Sequence, residues 1–344
     1  MKSASVKTLL FTTGVVIFIL IILLFIAFND RPNTENNGFV RNIQNNVITE
    51  LVETTLPEFF NSIVGCDNSH IYIADNQHSV VRTYDHQLLF LNGDSLDLPQ
   101  YVNHPLIIHV DSSNIAASSE ELEKAFYFSK HTLRPQVQTV SVPLINSCVY
   151  LSPGSFVARV FDSSHQQNIL RKFSNNEAVD DHAVIPDKQY DGIFCSDGML
   201  VTTPLKDKCI YTFYYRNSII CFDSSMNVLY KTNTIDTTAH FKTALSLIPG
   251  GRAIASPPHV VNRLCAIGYQ NIFIISTLRG DNEKNHTFNE NDVVDRYDLS
   301  SGKYLNSFYI PRIYGKQIRS FAVMNNTLFA LYNGLLVKYV LHYM

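Results

Sequence analysis

Three histidines have the spacing that most resembles a metal site. His70, His78 and His86 recur every eight residues. An even spacing keeps side chains on one face of a strand, but the polar residues 75–77 predict a turn that breaks this register. We therefore interpret the histidines as partly exposed polar residues, and we predict neither a bound metal nor another cofactor.

A second group of candidate ligands is an acidic run that contains Glu290, Asp292, Asp295 and Asp298. Calcium prefers oxygen ligands presented by a looped backbone. This run has the pattern of a strand, in which Asp292 and Asp295 point to opposite faces. The run is therefore a poor calcium site. A separate polar stretch, residues 180–182 (DDH), is interpreted as a solvated loop.

Linear catalytic motifs are absent from the sequence. It contains no nucleophile elbow, zinc-protease helix, phosphate-binding loop or dinucleotide fingerprint. The six cysteines are widely spaced without a C-x-x-C pair, which argues against a zinc or thioredoxin-like site. Cys209 and Cys221 flank a predicted hairpin and are the best-placed pair for a disulfide, but small buried cysteines are common in β cores, and we favour buried core thiols with the disulfide as the alternative. We assign no catalytic residue and favour a non-enzymatic function.

Tyrosines near predicted strand ends are better candidates, because tyrosine joins a large apolar area to a polar tip and is favoured at interfaces. The polar stretch 279–291 inside a predicted hairpin adds a long loop, and such loops often carry binding residues. For the loop itself we favour a solvated, mobile segment, and we expect most tyrosines to pack in the core between blades. The candidate binding surface comprises Tyr211, Tyr214, Tyr215, Tyr309, Tyr314, Asp281 and Glu283.

A repeated β-hairpin unit must position these side chains. Residues 71–85 read as an apolar strand, a polar turn and a strand that ends in aromatic-Asp. Its closing half returns at 157–162, 218–223, 293–298 and, without the aspartate, 335–339. Hairpin sheets that cannot bury both faces alone stack on copies of themselves. The aspartates at the strand ends are interpreted as acceptors for N–H groups of the following turn.

The size of the repeat predicts the architecture. The 286 residues from Phe59 to Met344 give about 48 per unit for six units, within the ~40–50 residues of a propeller blade. We predict an all-β fold, a β-propeller of six four-stranded blades over residues 47–344. Residues 47–56 are predicted to supply a strand to the last blade and so close the ring.

The amino terminus has the pattern of a transmembrane segment. Leu9 to Phe28 is uncharged and free of proline, and twenty residues span a ~30 Å hydrocarbon core as a helix. Lysines within residues 1–8 place that end in the cytoplasm. Residues 9–28 are thus a predicted signal anchor, with a cleavable signal peptide as the alternative. Residues 29–46, rich in asparagine, are predicted to be a solvated linker.

The C-terminal third repeats a recognisable pattern. An aromatic-Asp strand end in 292–298 precedes a Ser301-Gly302 turn, the strand YLNSFYIP and a closing strand in 335–341. This pattern resembles the six-bladed, TolB-like β-propeller proteins common in Bacteroidetes. Residues 71–85 have the same style, although His86-Gln87 replaces the usual polar-Gly turn. The resemblance implies an exported or membrane-attached propeller without an assigned reaction.

Together these patterns predict a single-pass inner (cytoplasmic) membrane protein with its C-terminal domain in the periplasm. We predict a binding or scaffold module for a protein, peptide or glycan partner at the cell envelope. The alternatives are an envelope hydrolase or lyase with its site in the central channel, and a sensor or structural subunit of an envelope complex. A net charge of −3 argues against a nucleic-acid partner.

Overall fold

The computed structural model describes most of the chain. The described residues are 13–23, 36–98, 105–111, 113–119, 124–130, 135–139, 147–174, 177–189, 191–241, 245–248, 251–254, 258–268 and 270–342. Residues 13–23 are helical. No helix in these ranges is both long and apolar enough to cross a bilayer. The predicted span from Leu9 to Phe28 lies partly outside the described residues.

Six antiparallel four-stranded sheets form the blades of a propeller, as predicted. Blade 6 combines β1 (Ile48–Thr55) with three strands from the end of the chain, and the other blades are continuous in sequence. Blade 1 holds β2 (Ser62–Cys66), β3 (His70–Asp75), β4 (Val80–Asp85) and β5 (Phe90–Ser95); blade 2 holds β6 (Leu106–Val110), β7 (Asn114–Ser119), β8 (Lys124–Ser129) and β9 (Pro135–Thr139); blade 3 holds β10 (Ser147–Ser152), β11 (Ser155–Asp162), β12 (Gln167–Ser174) and β13 (Glu177–Val184). Blade 4 holds β14 (Gly198–Thr202), β15 (Lys208–Phe213), β16 (Ser218–Asp223) and β17 (Val228–Asn233); a separate hairpin pairs β18 (Leu245–Ile248) with β19 (Gly251–Ile254); blade 5 holds β20 (Asn262–Gly268), β21 (Asn271–Ser276), β22 (Asn291–Asp298) and β23 (Tyr304–Pro311); blade 6 ends with β24 (Ser320–Met324), β25 (Thr327–Tyr332) and β26 (Leu335–Leu341).

The ring is closed by the strand predicted at residues 47–56. β1 pairs antiparallel with β26, from Ile48 opposite Leu341 to Thr55 opposite Leu335. In blade 6 we count β24 as the first strand and β1 as the fourth, following their order in the sheet. The first strand of each blade then contacts the first strands of the two neighbouring blades. Both ends of the propeller domain therefore stabilise the same blade.

The repeat is out of phase at residues 157–162. These residues end the second strand of blade 3, whereas 218–223 and 293–298 end third strands. Any strand that enters an Asp-initiated turn has this pattern, so the pattern does not identify the strand's position in a blade. The role predicted for the aspartates is confirmed, because Oδ1 of Asp162 accepts the N–H groups of Ser164 and His165. Equivalent bonds are formed by Asp85, Asp223 and Asp298.

The core lies between the blades, and it keeps Cys209 and Cys221 apart. Cys209 pairs across the ladder with Phe222, and Cys221 pairs with Ile210. The two cysteines therefore point to opposite faces of blade 4, Cys209 towards blade 3 and Cys221 towards blade 5. All six cysteines are free thiols, which agrees with the interpretation of buried core thiols.

Residues 36–46 are not the solvated linker that was predicted. Ile43 forms a parallel bridge with Ser307 at the outer edge of blade 5. Arg41, 3% exposed, forms a bidentate pair with Asp295 at 2.7 and 3.0 Å. Its Nη1 also pairs with Glu283. The asparagine-rich composition misled the prediction because asparagines bond to the blade as well as to water, as Asn37 does with the carbonyl of Arg279.

The predicted long loop 279–291 is also more ordered than expected. A turn in which Glu283 N–H bonds to the carbonyl of Gly280 leads into the short helix Asn285–Glu290. Residues 180–182, interpreted as a loop, belong to β13 (Glu177–Val184).

The propeller has two distinct faces. We call the lower face the one formed by the turns between first and second strands and between third and fourth strands. The upper face carries the turns between second and third strands and the connections between blades. The described chain enters the domain at the upper face, where Asn37 and Gly38 donate N–H bonds to Asp281.

Candidate binding site at the mouth of the central channel

The central channel opens at the lower face into a cavity of about 1150 Å³. All six blades contribute to it, because the ends of their first strands and the turns that follow converge there. Its walls are mainly aliphatic, and its rim is polar. The rim includes Asp67, Asp111, Pro153, residues 203–208, Gln270 and Asn325, one contribution from each blade in turn.

The turn 203–208 of blade 4 reaches across this mouth. Lys206 donates its N–H to the carbonyl of Thr203 and has a φ of +58°, an uncommon backbone conformation for a residue with a side chain. Its ammonium lies 2.8 Å from Oδ2 of Asp111 in blade 2. The pair therefore joins two blades that are not neighbours, bridging past the intervening blade 3. Leu205, at the tip, is 87% exposed.

Asp111 is held by its own turn as well as by Lys206. Its Oδ1 accepts the N–H groups of Ser113 and Asn114, both at 2.8 Å. Burial opposes ionisation, but Lys206 and the two N–H groups outweigh it and lower the pKa of Asp111. The side chains of Lys206 and Asp111 are 27% and 35% exposed, so their ion pair contributes about 1 kcal/mol at most.

Asp67 occupies the corresponding turn of blade 1. It accepts bonds from the N–H groups of Ser69 and His70, and from the Tyr72 hydroxyl at 2.6 Å. These bonds overcome the effect of burial and lower its pKa. The ammonium of Lys130 lies 3.7 Å from the centroid of the Tyr72 ring, a cation–π geometry. A groove of about 710 Å³ between blades 1 and 2 shares Asp67 with the mouth.

His109 lines the cavity wall as a neutral imidazole. Its Nε2 lies 2.8 Å from the carbonyl oxygen of Cys148, and a carbonyl only accepts, so Nε2 carries the proton. Burial, with a contribution from Lys206, lowers the pKa of His109 to about 4. At neutral pH, Nδ1 is therefore the acceptor of the ring.

Two tyrosines adjoin this histidine. The Tyr150 ring contacts the rings of His109 and Tyr127, each with centroids 5.5 Å apart. Tyr127 and Tyr150 line the cavity and are only 9% and 6% exposed. Their hydroxyls form no hydrogen bond of normal geometry within the described part of the chain; Gly154 lies near the first, and Ser118 and Cys148 near the second. Buried hydroxyls of this kind usually have a partner.

The thiols in the cavity are not activated. Cys66 and Cys265 line its wall, and burial raises the pKa of each to about 12. Both are therefore protonated at neutral pH, and a thiol is a poor nucleophile compared with a thiolate. The described ranges contain no group of three or more His, Cys, Asp or Glu side chains arranged to hold a metal ion.

The histidines and carboxylates singled out in the sequence are dispersed. His70 and His86 lie at the lower face, whereas His78 lies in the β3–β4 turn of the upper face and pairs with Asp75. Asp292 is paired with Arg263 and Arg312. Asp292 and Asp295 are both buried and face different partners, in line with the strand interpretation.

The predicted binding residues do not line the mouth. Tyr211 is fully buried between blades 3 and 4, and its hydroxyl donates to the carbonyl of Ser196 at 2.6 Å. Glu283 is 5% exposed and paired with Arg41. Neither residue can contribute to a surface, because large aromatics pack between blades and the 279–291 segment folds back on the sheet.

The other five candidates lie at the upper face. Tyr214 and Tyr215 form part of the β15–β16 turn, with ring centroids 6.0 Å apart. Asp281 binds the incoming residues 37 and 38. Tyr309 donates to Glu283 at 2.6 Å, and Tyr314 is 90% exposed. Sequence reasoning missed the mouth residues; the only local signal was an aspartate followed by Ser or Asn after a first strand, as at Asp67 and Asp111.

Comparison with known proteins assigns no family to the chain. No protein-family model matches the chain, and no curated protein matches it. Similar solved structures include virginiamycin B lyase from Staphylococcus aureus (9% identity, 86% of this chain and 100% of that chain, TM-score 0.49). Others are the Cps50 (Swd1) β-propeller domain from Myceliophteria thermophila (10%, 88% and 100%, 0.44) and BamB from Moraxella catarrhalis (9%, 87% and 99%, 0.44). The strand order itself defines a six-bladed β-propeller; the TolB-like resemblance rests on the sequence pattern.

Proposed function

We propose that this protein is a membrane-anchored binding module that receives a partner at the mouth of its central channel. The observation that carries the proposal is a cavity to which all six blades contribute, with aliphatic walls and a polar rim. Binding sites typically combine an apolar enclosure with a few placed polar groups. The volume of about 1150 Å³ suits a segment of a protein, a peptide or a glycan.

The protonation states favour binding over catalysis. Activated nucleophiles and bases have pKa values shifted towards their task. In the cavity, the pKa values of Cys66 and Cys265 are raised, and those of Asp67 and Asp111 are lowered. These shifts keep each group in the state that donates or accepts a hydrogen bond without transferring a proton near neutral pH.

The position of the amino-terminal segment supports an orientation of the domain. Residues 37 and 38 bind the upper face, and only residues 29–36 lie between them and the proposed anchor at 9–28. Nine peptide steps reach about 32 Å at most. We propose that the domain lies on the periplasmic side of the inner membrane, with its upper face at blades 4 and 5 next to the anchor. The mouth is then on the opposite face.

Site-specific photocrosslinking in the full chain tests this proposal. A benzophenone amino acid replaces Leu205 at the mouth or, as a control of matched exposure, Tyr314 at the upper face. The two side chains are 87% and 90% exposed. We expect a discrete crosslinked product from position 205 and none from 314 in intact cells. A product from position 314 alone, or from neither position, would overturn the proposal.

A further inference from the structure

We propose that the mouth recognises a basic side chain on a peptide segment of the partner, and that Lys206 occupies the same place when the partner is absent. This inference rests on the proposed function, and it specifies the chemistry of the ligand. It follows from the charges at the rim, the bonding of the Lys206–Asp111 pair and the His109 imidazole beside it.

The charges at the cavity favour a cation. Four carboxylates line it, those of Asp67, Asp111, Asp207 and Asp298, together with the ammonium groups of Lys206 and Lys208. The lining thus has an excess of two negative charges before a partner arrives. Complementary charge steers association and discourages partners of the wrong sign.

Lys206 is the member of the ion pair that a ligand can replace. Asp111 keeps the N–H groups of Ser113 and Asn114 when Lys206 leaves, so its carboxylate remains in place for a new cation. The hydrogen bond to Asp111 is the one that the Lys206 ammonium forms within the described residues. Lys206 lies on an exposed turn, and water can solvate its ammonium after displacement.

A second lysine lies beside the same acidic corner. Lys130 approaches from the groove between blades 1 and 2, over the Tyr72 ring. Burial lowers the pKa of its ammonium, whereas Asp67 and Asp111 attract it electrostatically and oppose that effect. Two cations of this chain thus border the Asp67–Asp111 corner, one from the groove and one from the mouth.

The imidazole beside the corner favours a peptide as the carrier of the basic side chain. His109 lines the cavity, and its Nδ1 is an acceptor because Nε2 donates to the carbonyl of Cys148. A peptide group supplies the complementary N–H. The rings of Tyr127 and Tyr150 also line the cavity, but their hydroxyl oxygens are buried, near Gly154 and Ser118 respectively.

Binding of three labelled octapeptides to the full chain, solubilised in detergent, tests the inference. The peptides share one aliphatic sequence and carry Lys, Gln or Glu at the same two positions. We expect the Lys peptide to bind most tightly, with an affinity that falls as salt is raised. Asp111→Asn should weaken its binding at least tenfold, and Lys206→Met should strengthen it several-fold. Lys303→Met, at an exposed turn of the same face, serves as the matched control and should change nothing.

Tighter binding of the Glu peptide than of the Lys peptide would overturn the inference. Loss of Lys-peptide binding in Lys206→Met would overturn it as well. Equal binding of all three peptides, or of none, would overturn it too. Because Asp111→Asn also weakens the hydrogen bonds of its turn, its unfolding temperature must match that of the wild type. Lys206→Glu, in the turn 203–208, provides a second variant that should also strengthen Lys-peptide binding. If position 205 crosslinks to a partner but the three peptides bind equally, only the ligand class is refuted. If position 205 gives no crosslink, the proposed function is refuted.

Discussion

Replacing Arg41 by methionine tests whether residues 36–46 are an integral part of the propeller. The guanidinium is buried between Asp295 and Glu283, and it also donates to the carbonyl of Leu278 at 2.8 Å. Methionine keeps much of the side-chain length and removes the charge. The substitution leaves two carboxylates in a buried site without their cation.

The expected loss of stability is large because the three charged side chains are buried. Removing one partner of a buried ion pair costs about 3–5 kcal/mol, since the remaining charge is uncompensated. For a domain of this size, the melting temperature should fall by about 2 °C per kcal/mol, thus by roughly 6–10 °C. Local detachment of residues 36–46 limits the loss, because the segment can then expose the carboxylates to water while β1 stays paired.

Differential scanning fluorimetry and hydrogen exchange separate these outcomes. In Arg41→Met we expect faster exchange at the amides that secure the segment, those of Gln44, Ser307 and Asp281, with unchanged exchange in β25. Arg319→Met is the control, because Arg319 is exposed and its guanidinium donates to Asn333 at the surface; we expect its melting temperature to change by less than 1 °C. Wild-type melting and unchanged protection in Arg41→Met would refute the assignment of this segment to the folded domain.

Three further predictions concern the blades and the channel. Gly65→Ala should destabilise the domain by about 1–3 kcal/mol, because a Cβ there would overlap the carbonyl oxygen of Val110 in blade 2; Gly93→Ala, whose Cβ would have ordinary contacts, should be near neutral in the same denaturation assay. The unfolded chain protonates His109 near pH 6.5 and the folded chain near pH 4, so stability should fall as pH drops through this window, by at most about 3 kcal/mol; His109→Gln should show a shallower decline, and an identical one would contradict the burial of the ring. Intact mass under denaturing, non-reducing conditions should correspond to six free thiols, and a loss of 2 Da would contradict the opposite-facing arrangement of Cys209 and Cys221.

The sequence predicts the strands and the closure of the ring because both depend on local patterns. Alternating apolar residues and Asp-initiated turns are visible within ten residues, as in 71–85. The position of a strand in its blade is not local, which explains the wrong phase at 157–162. The number of blades follows from length divided by a typical repeat, and this reasoning tolerates one misassigned strand.

The candidate site depends on contacts that the sequence does not reveal. Lys206 and Asp111 are 95 residues apart, and each lies in a turn of ordinary composition. They meet because the first strands of all blades end at the same face, which follows only from the complete ring. The burial of Tyr211 could not be predicted for a similar reason. Its place in KCIYTF resembles that of any strand tyrosine, and it is the packing of blade 4 on blade 3 that buries it.

The fixed course of residues 36–55 limits how the mouth can be presented. Arg41 holds the start of this stretch to blade 5, and β1 holds its end to blade 6. With the proposed anchor at 9–28, residues 29–35 connect it to this stretch. A partner that brings a basic segment to the lower face therefore meets a cavity on the side away from the point where the chain enters. Arg41→Met should loosen this constraint without altering any residue of the cavity, so it should leave peptide affinity in detergent unchanged.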